Sequence, residues 1–362
     1  MNRRQLVITA SAAMALPAYA KAESPSLKSP GPQIIAHRGA SGYLPEHTLA
    51  AYEAAVRMGA DHIEPDVVAT KDGHLVVRHD PVLTDSTDIL SHPEFADRKR
   101  TVSFGTFEIT DFFVSDFTLA EIKTLRARQV FADRSHADDD RYEIPTLQEV
   151  LGLRERLSRE SGRTVGIVPE IKFPTLHRQV GLAIEEKLVD MLDRAGLNSA
   201  TAPVWIQSFE QANLKALKKM TPIKLLQLVS GSDVDPTGAV TLLPPDDKPY
   251  DWVVSGRAGT YADMLTQEGL DEVATYAAVV SPWKRWLVSF SNGQPVVRKD
   301  IVDNAHARGL QVFTWTLRND RLDPFYAGDP AAEYTQLFHM GVDGVFSDFP
   351  DTAVAARDKF AQ

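Results

Sequence analysis

Glu64 and Asp66 stand two residues apart in the apolar run Asp61–Val68, and Glu170 and Lys172 stand two apart in Gly166–Lys172. If both runs are strands, alternation puts each pair on one face. Charged side chains inside such runs are unusual, because carboxylates are seldom buried without partners. Three carboxylates aimed at one point repel one another unless a cation lies between them. Oxygen ligands in a chain with no cysteine favour a hard ion, Ca²⁺ or Mg²⁺, over zinc. A single Glu is more often plain surface charge. The shared placement in apolar runs is what favours a metal site built from Glu64, Asp66 and Glu170.

His37 and His79 each close a short apolar run, Gln33–His37 and Leu75–His79. Histidine is the commonest general acid or base near neutrality. Either one alone is as easily a structural residue; two at strand ends point to catalysis. His74 lies in the turn Asp72-Gly73-His74 and reads as solvated, and His306 and His339 fall in helical patterns and read as structural. Arg38 and Lys172 add cations beside the acids. They either balance charge or hold a phosphate, Arg by paired hydrogen bonds and Lys as a point charge. A cation site, two histidines and two cations fit phosphoryl transfer. A glycosidase needs two carboxylates and no metal.

These residues need a scaffold that gathers them. Further strand-like runs occupy Pro203–Ser208, Ile223–Val229, Ala277–Val280, Gln311–Thr316 and Asp343–Phe346. Helical patterns lie at Glu46–Met58, Leu147–Arg156, Arg178–Ala195, Glu210–Met220, Tyr261–Thr275, Val296–Arg308 and Ala331–Met340, with a capping box at Thr146 and Glu149. Strands alternating with helices predict a parallel sheet. About eight such units over this length predict an α/β fold of the TIM type, a (β/α)8 barrel, whose strands are apolar on both faces. Its catalytic rim lies at the C-terminal strand ends, where His37, Glu64, His79, Glu170 and Gln207 all fall. Pro65 belongs at a strand end or bulge. Residues 81–143 are charged and turn-rich, with one helical pattern at Leu119–Ala127. That is too long for a barrel loop, so it reads as an insertion after an early strand.

Of the 362 residues, 43% are hydrophobic and 24% charged, a balance that supplies a large core. At the N-terminus Arg3 and Arg4 precede the apolar stretch Leu6–Ala20, which is too short to span a bilayer and ends in A-x-A spacing. Residues 1–22 therefore read as a signal peptide, 23–32 as a linker and 33–362 as the barrel domain. Arg3-Arg4 suits either the twin-arginine or the general secretory route. Cleavage after Ala22 removes three cations and no carboxylate, moving the formal charge from −10 to −13. Such a chain repels nucleic acid and anionic membranes. With no cysteine to lipidate and no later membrane-length apolar run, the expected location is the periplasm or the outside of the cell.

His37-Arg38-Gly39-Ala40, Pro45-Glu46-His47-Thr48, Glu64-Pro65-Asp66, His79-Asp80, Glu170-Ile171-Lys172 and Gly344-Val-Phe-Ser-Asp-Phe-Pro350 together resemble the glycerophosphodiester phosphodiesterase family, in its periplasmic branch. The resemblance runs from about His37 to Pro350. It implies a TIM-type barrel with an insertion after the His-Asp strand. It implies hydrolysis of small glycerophosphodiesters to sn-glycerol 3-phosphate and an alcohol, with Glu64, Asp66 and Glu170 holding one divalent cation, usually Ca²⁺. It implies His37 and His79 as the acid–base pair, Arg38 and Lys172 as phosphate contacts, and Glu46 as a supporting acid. His47 stands where most of the family has Asn. Trp315, ending a late run, either walls the substrate pocket or packs in the core. The rival readings are a barrel phospholipase acting on intact phospholipid and a surface binding protein of this fold without turnover.

Overall fold

The structure is a computed structural model, and it describes residues 31–105 and 107–362. The signal peptide expected at 1–22 and all but the last two residues of the expected linker lie outside the described residues.

Among the described residues, eight parallel strands close on themselves. The first is Gln33–His37. The second runs in two pieces, His62–Glu64 and Asp66–Ala69, and the third likewise, Gly166–Ile167 and Glu170–Ile171. The remaining five are Trp205–Ser208, Lys224–Val229, Val279–Pro282, Gln311–Leu317 and Gly344–Ser347. Pro65 and Pro169 break the second and third strands because proline has no N–H to give the ladder. The carbonyls of both prolines still accept, Pro65 from Glu170 N and Pro169 from Gln207 N, each at 2.9 Å, so pairing continues past the breaks. Gln33 pairs with Gly344, and His37 pairs with Glu64. The last strand therefore meets the first, and the expected barrel is present.

Alternation sorts the side chains into two layers. Ile35, Trp205, Leu226, Phe313 and Phe346 pack inside the barrel. Ile34, Ile63, Ile206, Val280 and Val312 face outward beneath the helices. Polar residues interrupt the inner layer toward the C-terminal rim, which is where the site forms.

Several sequence expectations are corrected. Leu75–Val77 is not a barrel strand. It runs antiparallel to the second strand, with Val67 opposite Val77 and Ala69 opposite Leu75. The Asp72-Gly73 turn and a two-sided apolar run made a hairpin look like another parallel unit. The helical pattern 178–195 is split into Pro174–Gln179 and Glu185–Arg194 around Gly181, whose φ of 75° ends the first piece. Pattern 296–308 is in fact the strand Gln294–Val297 followed by the helix Lys299–His306. The capping box at Thr146 and Glu149 is present. Pro350–Phe360 forms a helix that the sequence reading left out. Residues 81–143 hold a hairpin, Arg100–Ser103 with Glu108–Asp111, where no strand was expected. The helical pattern at Leu119–Ala127 is shorter than expected, a helix over Leu119–Ile122. Phe95, Phe112, Phe117 and Ile122 from this stretch pack with Val68 and Val76 in an apolar cluster of their own. Among the described residues, no helix is long and apolar enough to cross a membrane.

Candidate active site

The first strand ends in a tight turn that aims backbone as well as side chains at the rim. Arg38 has a φ of 59° and Gly39 one of 87°. A Cβ on Gly39 would sit 2.7 Å from the Ala51 carbonyl carbon, so only glycine lets the turn lie against the following helix. Arg38 N then donates to Glu64 Oε2 at 2.9 Å, and Arg38 Nη1 donates to Glu46 Oε2 at 2.7 Å. Arg38 Nε lies 3.6 Å from Asp66 Oδ2.

Glu64, Asp66 and Glu170 converge as expected. Each offers an oxygen within 4.8 Å of the others, and all three residues are buried. Asp66 pairs with Glu170, and Glu170 with Gln207, along the rim. Gln207 Nε2 donates to Glu64 Oε1 at 2.9 Å, and Lys172 Nζ lies 2.8 Å from Glu170 Oε1. His47 Nε2 lies 2.8 Å from Asp66 Oδ2, and its Nδ1 lies 2.7 Å from the Tyr52 hydroxyl, which donates to Glu64 O at 3.1 Å. Asp66 Oδ1 is buried without a hydrogen-bond partner.

Burial, with Asp66 and Glu170 as like-charged neighbours, pushes the Glu64 carboxyl well above its usual range. Burial and Asp66 also push Glu170 up. Against the cost of burial, Lys172 and His47 hold Asp66 well below. A buried all-oxygen cluster with an orphaned carboxylate oxygen fits a hard divalent cation.

His37 Nδ1 lies 2.7 Å from Oδ1 of Asp348, which follows the eighth strand. Asp348 Oδ2 accepts from Arg134 Nη2 at 2.7 Å and from Arg318 Nε at 2.8 Å. Against burial, Arg318, His37 and Arg134 keep Asp348 well below the carboxylate range. Burial and the Arg38 charge lower His37 to about 4, so its ring is neutral near pH 7. Asp348 then accepts the Nδ1 proton, and Nε2 keeps its lone pair.

His79 reaches the same rim by a different route. The second strand overruns the rim to Ala69, and the hairpin returns until Arg78 N donates to Asp66 O at 2.9 Å. That contact sets half-buried His79 beside the carboxylates, with its Nδ1 2.9 Å from Asp80 Oδ1. Burial and Arg38 lower its pKa too.

Trp315 is half-buried on the seventh strand, and its Nε1 donates to Ser281 O at 2.9 Å. It meets Phe209 edge-on at 5.5 Å, and Lys172 Nζ lies 5.6 Å above the Phe209 ring. It thus belongs to the mouth as much as to the core. Arg38 and Lys172 are at the site, each already paired with a carboxylate. The sequence reading gave no role to Asp348, Gln207, Tyr52, Arg318 or Arg134. Asp348 and Gln207 carried the usable signal of a polar residue closing an apolar run. Arg134 carried none.

The chain matches the Glycerophosphoryl diester phosphodiesterase family over residues 37–352. Glycerophosphodiester phosphodiesterase GDPD6 of Arabidopsis thaliana is 36% identical, covering 92% of this chain and 88% of its own. The Haemophilus influenzae glycerophosphodiester phosphodiesterase is 33% identical over 89% of this chain and 88% of its own. In fold, the chain is similar to an Oleispira antarctica phosphodiesterase solved with the product sn-glycerol-3-phosphate. That likeness has a TM-score of 0.59 at 20% identity and covers 90% of this chain and 96% of that one. With the motif and the barrel agreeing over most of its length, the chain belongs to the glycerophosphoryl diester phosphodiesterase family and is a hydrolase of glycerophosphodiesters.

Proposed function

We propose that the enzyme cleaves small glycerophosphodiesters to sn-glycerol 3-phosphate and an alcohol, with one divalent cation held by Glu64, Asp66 and Glu170 and with His37 and His79 as base and acid. The observation that carries this reading is the convergence of three buried carboxylates within 4.8 Å on the rim that also bears both histidines. Ca²⁺ is the favoured ion, and Mg²⁺ the alternative.

When bound, the cation would offset negative charge on the phosphate and cancel the repulsion among the three carboxylates. His37 Nε2 takes the proton of the attacking hydroxyl, either a water or first the substrate's own glycerol hydroxyl, which expels the alcohol to give a cyclic phosphate that water then opens to sn-glycerol 3-phosphate. Against burial and Arg38, Asp80 favours the protonated form of His79, and the anionic diester favours it further. His79 gives a proton to the departing alcohol oxygen as its bond to phosphorus breaks. Arg38 and Lys172 hold the phosphate oxygens, and Glu46 fixes the Arg38 guanidinium through the 2.7 Å contact. Trp315 and Phe209 wall the mouth. Asp348 keeps His37 in the tautomer that a base requires.

We propose further that the protein is exported to the periplasm, or beyond the cell where there is no outer membrane. Arg3-Arg4, the apolar stretch behind them and the A-x-A spacing support this. Changing both arginines to lysine should stop export if the twin-arginine route is used, and unchanged export would leave the general route.

The catalytic reading is tested by following glycerol 3-phosphate release from glycerophosphocholine. Wild type should release it at a rate proportional to enzyme, and Glu64→Gln and Glu170→Gln should not. Release of phosphocholine instead, or full activity in both variants, would refute the reading.

A further inference from the structure

We propose that Arg134, supplied by the 81–143 stretch, is a positioning residue for His37. The inference rests on His37 acting as a base. Arg134 is buried and spends its guanidinium in three directions. Nη2 donates to Asp348 Oδ2 at 2.7 Å, and Nη1 donates to Ser41 O at 3.1 Å. Nε and Nη2 donate to the two oxygens of Asp320 at 2.6 and 3.1 Å. The first two contacts both lead to His37, one to its ring through Asp348 and the other to its backbone carbonyl through Ser41. Asp348 accepts from the His37 ring, and Ser41 Oγ donates to His37 O at 2.8 Å. Gly42 N closes the loop by donating to Asp348 O at 2.9 Å.

A plainer role would be to pin the inserted stretch to the barrel. That seam has other fastenings. Arg321 pairs with Asp133 through two contacts of 2.6 Å, and Gln129 Nε2 donates to Ser41 O at 3.3 Å. Arg134 Cζ also stacks 4.1 Å from the Phe131 ring. What no other residue in this group does is reach Asp348 and the Ser41 carbonyl at once. Arg318 shares Asp348 Oδ2, but its side chain is 26% exposed against 3% for Arg134, so it is the looser of the two clamps. A barrel without this stretch would leave Asp348 Oδ2 with Arg318 as its remaining arginine donor.

The test compares Arg134→Ala and Arg134→Lys in the wild-type and His37→Ala backgrounds, with glycerophosphocholine and saturating Ca²⁺. A charged hydrogen bond made through a third residue is worth about 10- to 100-fold in kcat. Arg134→Ala should lower kcat by about that factor with KM within about threefold. Arg134→Lys should fall between, since it keeps the charge but not the three-way fork. In His37→Ala the Arg134→Ala change should cost less than about twofold, because its target is gone. Equal losses in both backgrounds would overturn the inference. Wild-type kcat in His37→Ala would instead overturn the role of His37.

A second readout needs no turnover. The low-field proton of His37 Nδ1, assigned by its loss in His37→Ala, should shift or broaden in Arg134→Ala. An unchanged resonance would also overturn the inference. If Arg134→Ala does not fold, Arg134→Lys carries both comparisons.

Discussion

His37 Nδ1 and Asp348 Oδ1 lie 2.7 Å apart although 311 residues separate them in the chain. Barrel closure makes this pair, because the first and eighth strands are neighbours. The other oxygen of Asp348 takes two arginine donors, so the carboxylate cannot turn. Asp348→Asn should therefore do more than remove a charge. The arginines demand an acceptor, which turns the amide Nδ2 toward His37. That reverses the ring tautomer and places a proton on Nε2. Loss of about 10²–10⁴ in kcat is expected, with little change in KM. Activity within about threefold of wild type would show that Asp348 does not orient the ring.

The charge state of His37 can be read directly. Burial and Arg38 lower its pKa to about 4. A lowered value means that the ring is neutral above that pH and takes up a proton only below it. Nitrogen-15 spectra of labelled protein should show neutral imidazole with the proton on Nδ1 from pH 8 down to pH 5, values chosen to lie above the low midpoint. A midpoint near the ordinary histidine value would contradict the environment described.

Cation binding should release protons. Burial raises the Glu64 and Glu170 carboxyls, so without a cation the cluster retains protons at neutral pH. A bound cation needs them ionised and displaces those protons. Calorimetric titration with Ca²⁺ should give heats that depend on the buffer's ionisation enthalpy, and affinity should rise with pH across neutrality. Affinity that is flat with pH, and heats that are independent of buffer, would mean that the carboxylates are already ionised.

The two histidines should separate by leaving group. Choline and glycerol depart poorly without a proton, whereas p-nitrophenolate needs none. General acid catalysis is typically worth ~10²–10⁴-fold. His79→Ala should lose about that much with glycerophosphocholine and far less with a p-nitrophenyl ester of glycerol phosphate. His37→Ala should lose similarly on both. The opposite pattern would exchange the roles, and equal losses everywhere would remove the acid from the mechanism.

The barrel was legible because its strands are short apolar runs, several of them closed by a polar residue. Glu64 and Asp66 share a face by alternation alone, and Gln33–His37 is where it was expected. The path of the chain at His79 was not legible. Apolar content is the same for a parallel strand and for a hairpin arm, and only pairing reveals that Leu75–Val77 runs backward. The Asp348 clamp was hidden for another reason. Arg134 lies 214 residues from Asp348 within a polar stretch, and no local pattern distinguishes a buried arginine there from the solvated ones beside it. The helix breaks near Gly181 and at Arg298 were missed because helical periodicity runs across them.

The central claim is that three carboxylates make this a cation-dependent phosphodiesterase. Its most direct test is glycerol 3-phosphate release from glycerophosphocholine by enzyme stripped with chelator and passed through a desalting column, before and after Ca²⁺ is returned. The account predicts that stripped wild type is inactive and that Ca²⁺ restores it, whereas stripped Glu64→Gln and Glu170→Gln stay inactive at the same Ca²⁺. Full activity in the stripped, metal-free wild type would contradict it.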